Sequence, residues 1–133
     1  MDESDEKLFE AAKEARENAH APYSGTGYKV GASLLTDDDR ILAGCNVESM
    51  SFGLTVCAER NVLATAIAQG YRKFKKILVV SKDGWTPCGA CRQVIWDLCG
   101  DIPVIVFDEN GKSKEHTSAG LFPHPFEGKS LKS

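Results

Sequence analysis

Residues 57–70, CAERNVLATAIAQG, and residues 87–100, PCGACRQVIWDLCG, set the expected architecture of this chain. Both stretches have the composition of a helix, and each ends on a glycine, which commonly stops a helix. We therefore expect helices over Cys57–Gln69 and from Cys88 or Gly89 to Leu98. Because each lies between apolar segments that predict strands, both are expected to be crossover helices that begin near the carboxyl ends of strands. Ligands bind at that edge of an α/β sheet.

The segments around these two helices predict one more helix and five strands. Small and apolar residues recur at helical spacing between Leu8 and Ala19, behind an acidic first turn, which predicts a helix over Glu6–Asn18. Proline and glycine predict a loop over Ala21–Gly27. The predicted strands are Tyr28–Leu35, Ile41–Asn46, Ile77–Ser81, Val104–Phe107 and Lys112–Thr117.

The order of these strands predicts the fold class. The first two form a hairpin around the acidic turn Asp37–Arg40, and the pair Asn110-Gly111 predicts that the last strand runs antiparallel to the one before it. With the crossover helices, they predict an α/β fold, a three-layer α/β/α sandwich on a mixed five-stranded sheet. We expect residues 1–133 to form a single domain, because this is an ordinary domain length.

Composition and charge exclude several classes of function. Hydrophobic residues make up 42% and charged residues 26% of the chain, as in soluble globular proteins. The net charge is -3 and the basic residues are scattered, which argues against a nucleic-acid partner or an anionic membrane. The acidic N-terminus is unlike a signal peptide, and no apolar stretch is long enough to span a bilayer, so we expect a cytoplasmic protein.

The five cysteines need an explanation other than disulfides, because cytoplasmic thiols stay reduced. Cys57, and the pair Cys88 and Cys91, fall at the N-termini of the two crossover helices, where the helix dipole favours thiolate. Three thiolate ligands leave a tetrahedral zinc one open position, as in catalytic zinc sites, where water becomes acidic enough to act as a nucleophile near neutral pH. Glu59 follows Cys57 by two residues and is placed to transfer protons without binding the metal.

A closed, structural metal site is the alternative for these cysteines. It would form if Cys45 or Cys99 supplied a fourth ligand, although small buried cysteines are common in protein cores. That alternative leaves Pro87 and Glu59 unexplained. The joint pattern of Cys-x-Glu followed by Pro-Cys-x-x-Cys instead matches the signature known for zinc deaminases, in which the glutamate is not a ligand.

Motifs spread over nearly the whole chain carry a resemblance to one family. They are APYS at 21–24, YKVGA at 28–32, GCNVE at 44–48, CAER at 57–60, PCGACRQ at 87–93 and LFP at 121–123. On these motifs the chain resembles the cytidine deaminase family, specifically its small homotetrameric branch. The resemblance implies the fold above and one zinc per subunit, bound by Cys57, Cys88 and Cys91, with Glu59 as the proton shuttle. It also implies hydrolysis of cytidine and deoxycytidine to the uridine nucleosides and ammonia, in pyrimidine salvage.

The same resemblance implies contacts to the sugar of the substrate. Asn46 and Glu48 match the family's pair that holds the ribose 3'-hydroxyl. Tyr28 stands where the family usually has phenylalanine, whose ring packs against the nucleoside. The Gly25–Gly27 stretch is longer than the family's usual loop, so the shape of the pyrimidine pocket is expected to differ here.

Further implied roles concern the base, the metal and the assembly. The backbone N–H of Ala58 contacts the base, and the Thr86 carbonyl accepts from its exocyclic amine. Arg60 hydrogen-bonds the cysteine sulfurs and draws off part of the negative charge of a zinc held by three thiolates. Phe126 reaches into the active site of a neighbouring subunit, which implies a homotetramer with shared sites.

Three alternatives to this function remain at the level of sequence. A polynucleotide or tRNA deaminase commonly has histidine in the place of Cys57 and a parallel fifth strand, which the Asn110-Gly111 turn argues against. A blasticidin-type deaminase tends to lack a carboxylate in the place of Glu48. A zinc-stabilised binding module without catalysis would need four protein ligands on the metal.

Overall fold

The computed structural model describes residues 2–25 and 27–128; Thr26, in the predicted loop, lies outside the described residues. Four helices and five strands follow one another along the chain. They are α1 (Glu3–Glu17), β1 (Gly31–Thr36), β2 (Ile41–Cys45), α2 (Ala58–Ala68), β3 (Phe74–Val80), α3 (Gly89–Cys99), β4 (Pro103–Phe107), β5 (Ser113–Thr117) and α4 (Ser118–Leu121), with a 3₁₀ turn over Phe52–Leu54. Among the described residues, no helix has the length and apolarity needed to cross a membrane.

The five strands form one mixed sheet in the order β2-β1-β3-β4-β5. β3 and β4 pair in parallel, and the other neighbouring pairs are antiparallel. Gly111, at φ 86°, occupies the turn before β5, and the Asp108 carboxylate accepts the backbone N–H groups of Asn110 and Lys112 there. The predicted mixed sheet with an antiparallel last strand is therefore confirmed.

Alternation along the central strands separates the two faces of the sheet. Successive side chains of a strand point to opposite faces, and in β3 Ile77 and Val79 belong to one apolar cluster whereas Leu78 and Val80 belong to another. Helix α1 covers the second cluster with Leu8 and other side chains, and α2 and α3 cover the first. This arrangement is the predicted three-layer sandwich.

Two glycines allow helices to approach the sheet closely. A Cβ atom on Gly31 would lie 2.0 Å from the carbonyl oxygen of Ala12 in α1, and one on Gly44 would lie 2.9 Å from the backbone nitrogen of Val62 in α2. Real Cβ atoms do not approach backbone atoms this closely. Both glycines therefore fix how tightly α1 and α2 pack on the hairpin.

The strand expected to start at Tyr28 begins three residues later. The side chain of Asn46 takes the place of a partner strand, because its Nδ2 donates to the Tyr28 carbonyl at 2.9 Å and its Oδ1 accepts from Val30 N–H at 2.9 Å. Residues 28–30 are thus held by an amide side chain rather than by a strand ladder, and Tyr28 and Val30 line the cavity described below.

Candidate active site

The N-termini of α2 and α3 place the three cysteines of the two motifs. Cys57 and Cys88 occupy the N-cap positions with extended backbone, and neither side chain makes a capping hydrogen bond. Cys91 lies in the first turn of α3 and is fully buried. All three thiols therefore lie at the positive ends of helix dipoles, where negative charge is favoured.

These thiols form a cluster of the size that a zinc ion needs. Within residues 2–25 and 27–128, Cys57, Cys88 and Cys91 are the single group of three or more possible ligands, with sulfurs within 4.8 Å of one another. The Cys57–Cys88 and Cys88–Cys91 sulfur distances are 3.8 and 3.4 Å. Zinc–sulfur bonds of about 2.3 Å in a tetrahedron separate sulfurs by about 3.8 Å. The donor set fits zinc, and neither Cys45 nor Cys99 joins the group.

The electrostatics of the cluster favour a thiolate at Cys57. Hydrogen bonding from the Cys91 thiol, followed by Arg60 and Cys88, lowers the pKa of Cys57 to about 5. The same contact, with burial, raises the pKa of Cys91, so the proton of this pair resides on Cys91. Arg60 Nη2 donates to Cys57 Sγ at 3.6 Å, and this bond to the sulfur raises the pKa of the guanidinium. The arginine thus compensates negative charge on the cluster.

Glu59 lies in the first turn of α2, between the cluster and the core. Its side chain is 5% exposed, and burial raises its pKa to about 7. It is outside the group of possible metal ligands, although it lines the same cavity as Cys57 and Cys88. A carboxyl group with a pKa near neutrality can both accept and donate a proton at physiological pH.

A cavity of about 310 Å³ opens in front of the cluster. Eight of the residues predicted to act in the site line it, which are Tyr28, Asn46, Glu48, Cys57, Ala58, Glu59, Thr86 and Cys88. Cys91 and Arg60 lie behind this lining and contact Cys57. The structure therefore brings the proposed zinc ligands, proton carrier and sugar-binding pair together around one space.

Asn46 and Glu48 line the cavity, and their side chains also hydrogen-bond the loop before β1. Glu48 Oε1 accepts backbone N–H groups from Tyr23 at 2.8 Å and Ser24 at 3.1 Å. Hydrogen bonding from the Ser24 side chain and then from these backbone groups keeps the pKa of Glu48 below its usual value. Asn46 is buried, and its amide anchors residues 28–30 as described above. Both side chains are therefore held in fixed positions before any ligand arrives.

Phe126 is not among the described residues that line the cavity of its own chain. Its side chain is 68% exposed, and its carbonyl accepts from Gln93 Nε2 at 2.8 Å. Arg92 links the same segment to the site, because it donates to the Leu121 carbonyl, the Pro87 carbonyl and Thr86 Oγ1 at 2.7–2.8 Å. The first turn of α3 thus fixes the C-terminal segment beside the metal motif while leaving the Phe126 ring free.

Trp85 and Arg92 are site residues to which the sequence motifs assigned no role. Trp85 lines the cavity, is 68% exposed, and stacks on Tyr28 with ring centroids 5.9 Å apart and planes 25° apart. In the sequence, Trp85 could have been noticed as a large aromatic residue directly before Thr86-Pro87-Cys88. For Arg92, the signal in the sequence was its position one turn into the predicted helix that begins at Cys88 or Gly89.

The comparison with known families agrees with this geometry. Residues 2–108 match the family described as "Cytidine and deoxycytidylate deaminase zinc-binding region". The chain belongs to this family. Within the described part of the chain, the cysteine cluster is the group that can hold the ion named in the family's description.

Individual relatives within the deaminase family match nearly the whole chain. A cytidine deaminase of Sporosarcina psychrophila is 43% identical over 129 residues, covering 95% of this chain and 93% of the relative. A probable cytidine deaminase of Dictyostelium discoideum is 40% identical over 129 residues, covering 95% and 86%. The crystal structure of cytidine deaminase from Burkholderia pseudomallei superposes with a TM-score of 0.87 at 43% identity, covering 95% of this chain and all of the other. The resemblance expected from the motifs is therefore confirmed.

Proposed function

We propose that this enzyme hydrolyses cytidine and deoxycytidine to uridine and deoxyuridine with release of ammonia, using one zinc ion per subunit. One observation carries the proposal: three thiols at two helix N-termini lie within 4.8 Å of one another and share a cavity with the buried Glu59. The cytidine deaminases that match nearly the full length of this chain support the choice of substrate.

Cys57, Cys88 and Cys91 would hold the zinc ion. When bound, zinc supplies Lewis acidity, which makes water a better nucleophile near neutral pH. Arg60 stabilises the negative charge of the thiolates through its bond to Cys57 Sγ. Zinc would require the thiolate form of these cysteines, so its binding would be coupled to their deprotonation.

Glu59 transfers the two protons that the reaction must move. Its carboxylate takes a proton from the water that attacks C4 of the cytosine ring and passes it to N3 as the C4–N3 double bond opens. It then takes the proton of the new C4 hydroxyl and delivers it to the exocyclic nitrogen, so that the C4–N bond breaks, the C4 carbonyl forms and ammonia departs. The pKa of about 7 suits both steps, since the group is poised between its two protonation states at neutral pH. Burial of the side chain keeps competing water away from this proton.

Groups around the cavity orient the nucleoside. The Ala58 backbone N–H, at the start of α2, contacts the base, and the Thr86 carbonyl accepts from the exocyclic amine. Glu48 is an acceptor with capacity beyond its two backbone N–H partners, and with Asn46 it binds the ribose 3'-hydroxyl. The Tyr28 ring packs against the nucleoside.

A neighbouring subunit completes the site in a cytoplasmic homotetramer of single-domain chains. Phe126 supplies an aromatic ring to the neighbour, where stacking on a pyrimidine contributes about 1–3 kcal/mol. Two observations support this. The Phe126 ring is exposed and outside its own cavity, and large apolar side chains are exposed between the cavity-lining residues Asn46 and Thr55, at Val47, Met50, Phe52 and Leu54. We place the reaction in pyrimidine salvage.

Ultraviolet absorbance of cytosine nucleosides incubated with purified protein tests the function. Cytidine and deoxycytidine should be converted to uridine products with release of ammonia. Cytidine 5'-monophosphate should be a poor substrate, because the cavity is lined by Glu48 and Glu59 and by no lysine or arginine among the described residues. Blasticidin S belongs in the same panel as the competing substrate. Conversion of blasticidin S or the monophosphate without conversion of cytidine would overturn the proposal.

A further inference from the structure

The Tyr28 hydroxyl is a buried polar group that lacks a hydrogen-bond partner among the described residues, although the residue lines the cavity. Buried hydroxyl groups in folded proteins nearly always have a partner, because leaving one unpaired costs free energy. A partner supplied by a ligand would resolve this exception. Because Tyr28 lines the cavity, a ligand is the expected source.

The other hydroxyl side chains of the cavity differ from Tyr28 in this respect. Each of them accepts a hydrogen bond from the protein: Ser24 from Tyr28 N–H, Thr55 from Ser49 N–H, Ser81 from Gly84 N–H and Thr86 from Arg92 Nη2. Those four hydroxyls therefore serve the structure of the cavity. The Tyr28 hydroxyl, by contrast, makes no hydrogen bond to the described residues.

Tyr28 is also held in place, through its backbone and through its ring. Its backbone N–H donates to Ser24 Oγ at 2.8 Å, its carbonyl accepts from Asn46 Nδ2 at 2.9 Å, and its ring stacks on Trp85. Because two backbone hydrogen bonds and one ring contact restrict this residue, its hydroxyl points in a defined direction. Such a group discriminates between ligands, because a bound molecule either provides a partner there or leaves the hydroxyl unpaired.

We propose that the Tyr28 hydroxyl hydrogen-bonds a sugar hydroxyl of the bound nucleoside and thereby sets the preference of the enzyme among ribose-modified substrates. This inference rests on the proposed deaminase function. The reacting edge of the base must face Cys57 and Glu59, so the sugar occupies the remaining end of the cavity. Tyr28 belongs to that end, because its backbone contacts are to Asn46 and Ser24.

A kinetic comparison of sugar analogues tests the inference. We would measure kcat/KM for cytidine, 2'-deoxycytidine, 3'-deoxycytidine and 5'-deoxycytidine with the wild-type protein and with Tyr28→Phe. Loss of one hydrogen bond should lower kcat/KM of the variant by roughly tenfold for substrates that carry the contacted hydroxyl. For the one analogue that lacks this hydroxyl, wild type and variant should be equal.

Tyr71→Phe is the matched control, because Tyr71 packs against the core and does not line the cavity. It should leave all four kcat/KM values unchanged, and zinc content and Tm should show that both variants are folded. A Tyr28→Phe variant with unchanged activity, or with an equal loss on all four nucleosides, would overturn the sugar contact while leaving the deaminase function intact. A wild-type protein that deaminates none of the four would instead refute the proposed function.

Discussion

The N-terminus of α1 differs from the N-termini of α2 and α3 in whether the N-cap side chain hydrogen-bonds the first turn of the helix. Asp2 caps α1, accepting the backbone N–H of Asp5 at 2.8 Å, and acidic residues fill the first turn. Cys57 and Cys88 occupy the equivalent positions of α2 and α3 without a side-chain cap bond. Cysteine is not a preferred N-cap residue, so these two helix ends forgo local stability. The cysteines at these positions instead place thiols at the positive ends of the two helices. As thiolates, these side chains can bind a cation.

This difference separates a helix end that stabilises the fold from two that carry the proposed zinc ligands and the proposed proton carrier. Natural proteins depart from local structural rules chiefly at functional sites. Substitutions at α1 should therefore change stability and leave turnover unaffected, whereas substitutions at the start of α2 and α3 should change turnover or metal content. Four sets of substitutions examine this contrast and the site built on it, beginning with the largest expected effect.

Glu59→Gln should abolish most activity without disturbing the fold. Both proton transfers pass through this one carboxylate, so kcat for cytidine should fall by at least about 10³-fold. Glutamine keeps the size of the side chain, and zinc content and Tm should remain close to those of the wild type. A variant that retains substantial turnover would remove Glu59 from the mechanism.

Replacing any one of Cys57, Cys88 and Cys91 by alanine should remove zinc, activity and part of the stability. A site of two remaining thiolates binds the metal weakly, and the free energy of metal binding contributes to folding. Metal analysis and thermal unfolding measure these effects. Cys45→Ala and Cys99→Ala are the matched controls and should keep full zinc occupancy, because neither thiol lies in the cluster. Zinc loss in either control would show that the ligands are assigned wrongly.

Mixed tetramers test whether sites are shared between subunits. Glu59→Gln subunits should be nearly inactive alone, and Phe126→Ala subunits should lose about 5- to 150-fold in activity, as 1–3 kcal/mol of stacking implies, yet their hybrids should regain part of the activity. An intact Glu59 site can then receive the Phe126 ring of a shuttle-deficient neighbour. The measurement is turnover of tetramers purified through two different tags. Hybrids of confirmed mass that stay inactive, although Phe126→Ala alone is folded and zinc-loaded, would contradict a shared site.

Asp2→Ala should lower Tm by a few degrees and leave kcat unchanged, because it removes the cap of α1. Asp2→Asn should keep the cap and serves as the control. Hydrogen bonds from the backbone N–H of Asp5 and the Ser4 hydroxyl keep the pKa of Asp2 below its usual value. Its charge therefore stabilises the fold above about pH 4, and the Tm difference between wild type and Asp2→Ala should shrink as the pH falls through the pKa of Asp2. A loss of activity in Asp2→Ala would contradict the contrast between the helix ends.

Hydrophobic periodicity and helix-terminating glycines predicted the helices and strands whose formation depends on local sequence. The glycines that follow the two crossover helices, Gly70 and Gly100, both adopt positive φ as helix stops require, and the ends of α2 and α3 fall within one residue of prediction. Tyr28–Val30 could not be predicted in this way, because a side chain distant in sequence, Asn46, takes the hydrogen bonds of a strand.

The candidate site also contains some features that local sequence predicts and others that it does not. The thiols and Glu59 follow from motif spacing and helix placement, since all of them lie within one turn of a helix start. The stacking of Trp85 on Tyr28 and the Arg92 bridge to Leu121 depend on tertiary packing between separate elements. No local pattern reports which loop an arginine will reach or which ring an aromatic side chain will meet.

Removal and return of zinc provides the decisive measurement. The purified protein should contain about one zinc per subunit, lose cytidine deamination when a chelator removes the metal, and regain it on addition of stoichiometric zinc. Circular dichroism would establish that the chelated protein is still folded. Full deamination by folded protein shown to be free of zinc would contradict the role assigned to Cys57, Cys88 and Cys91.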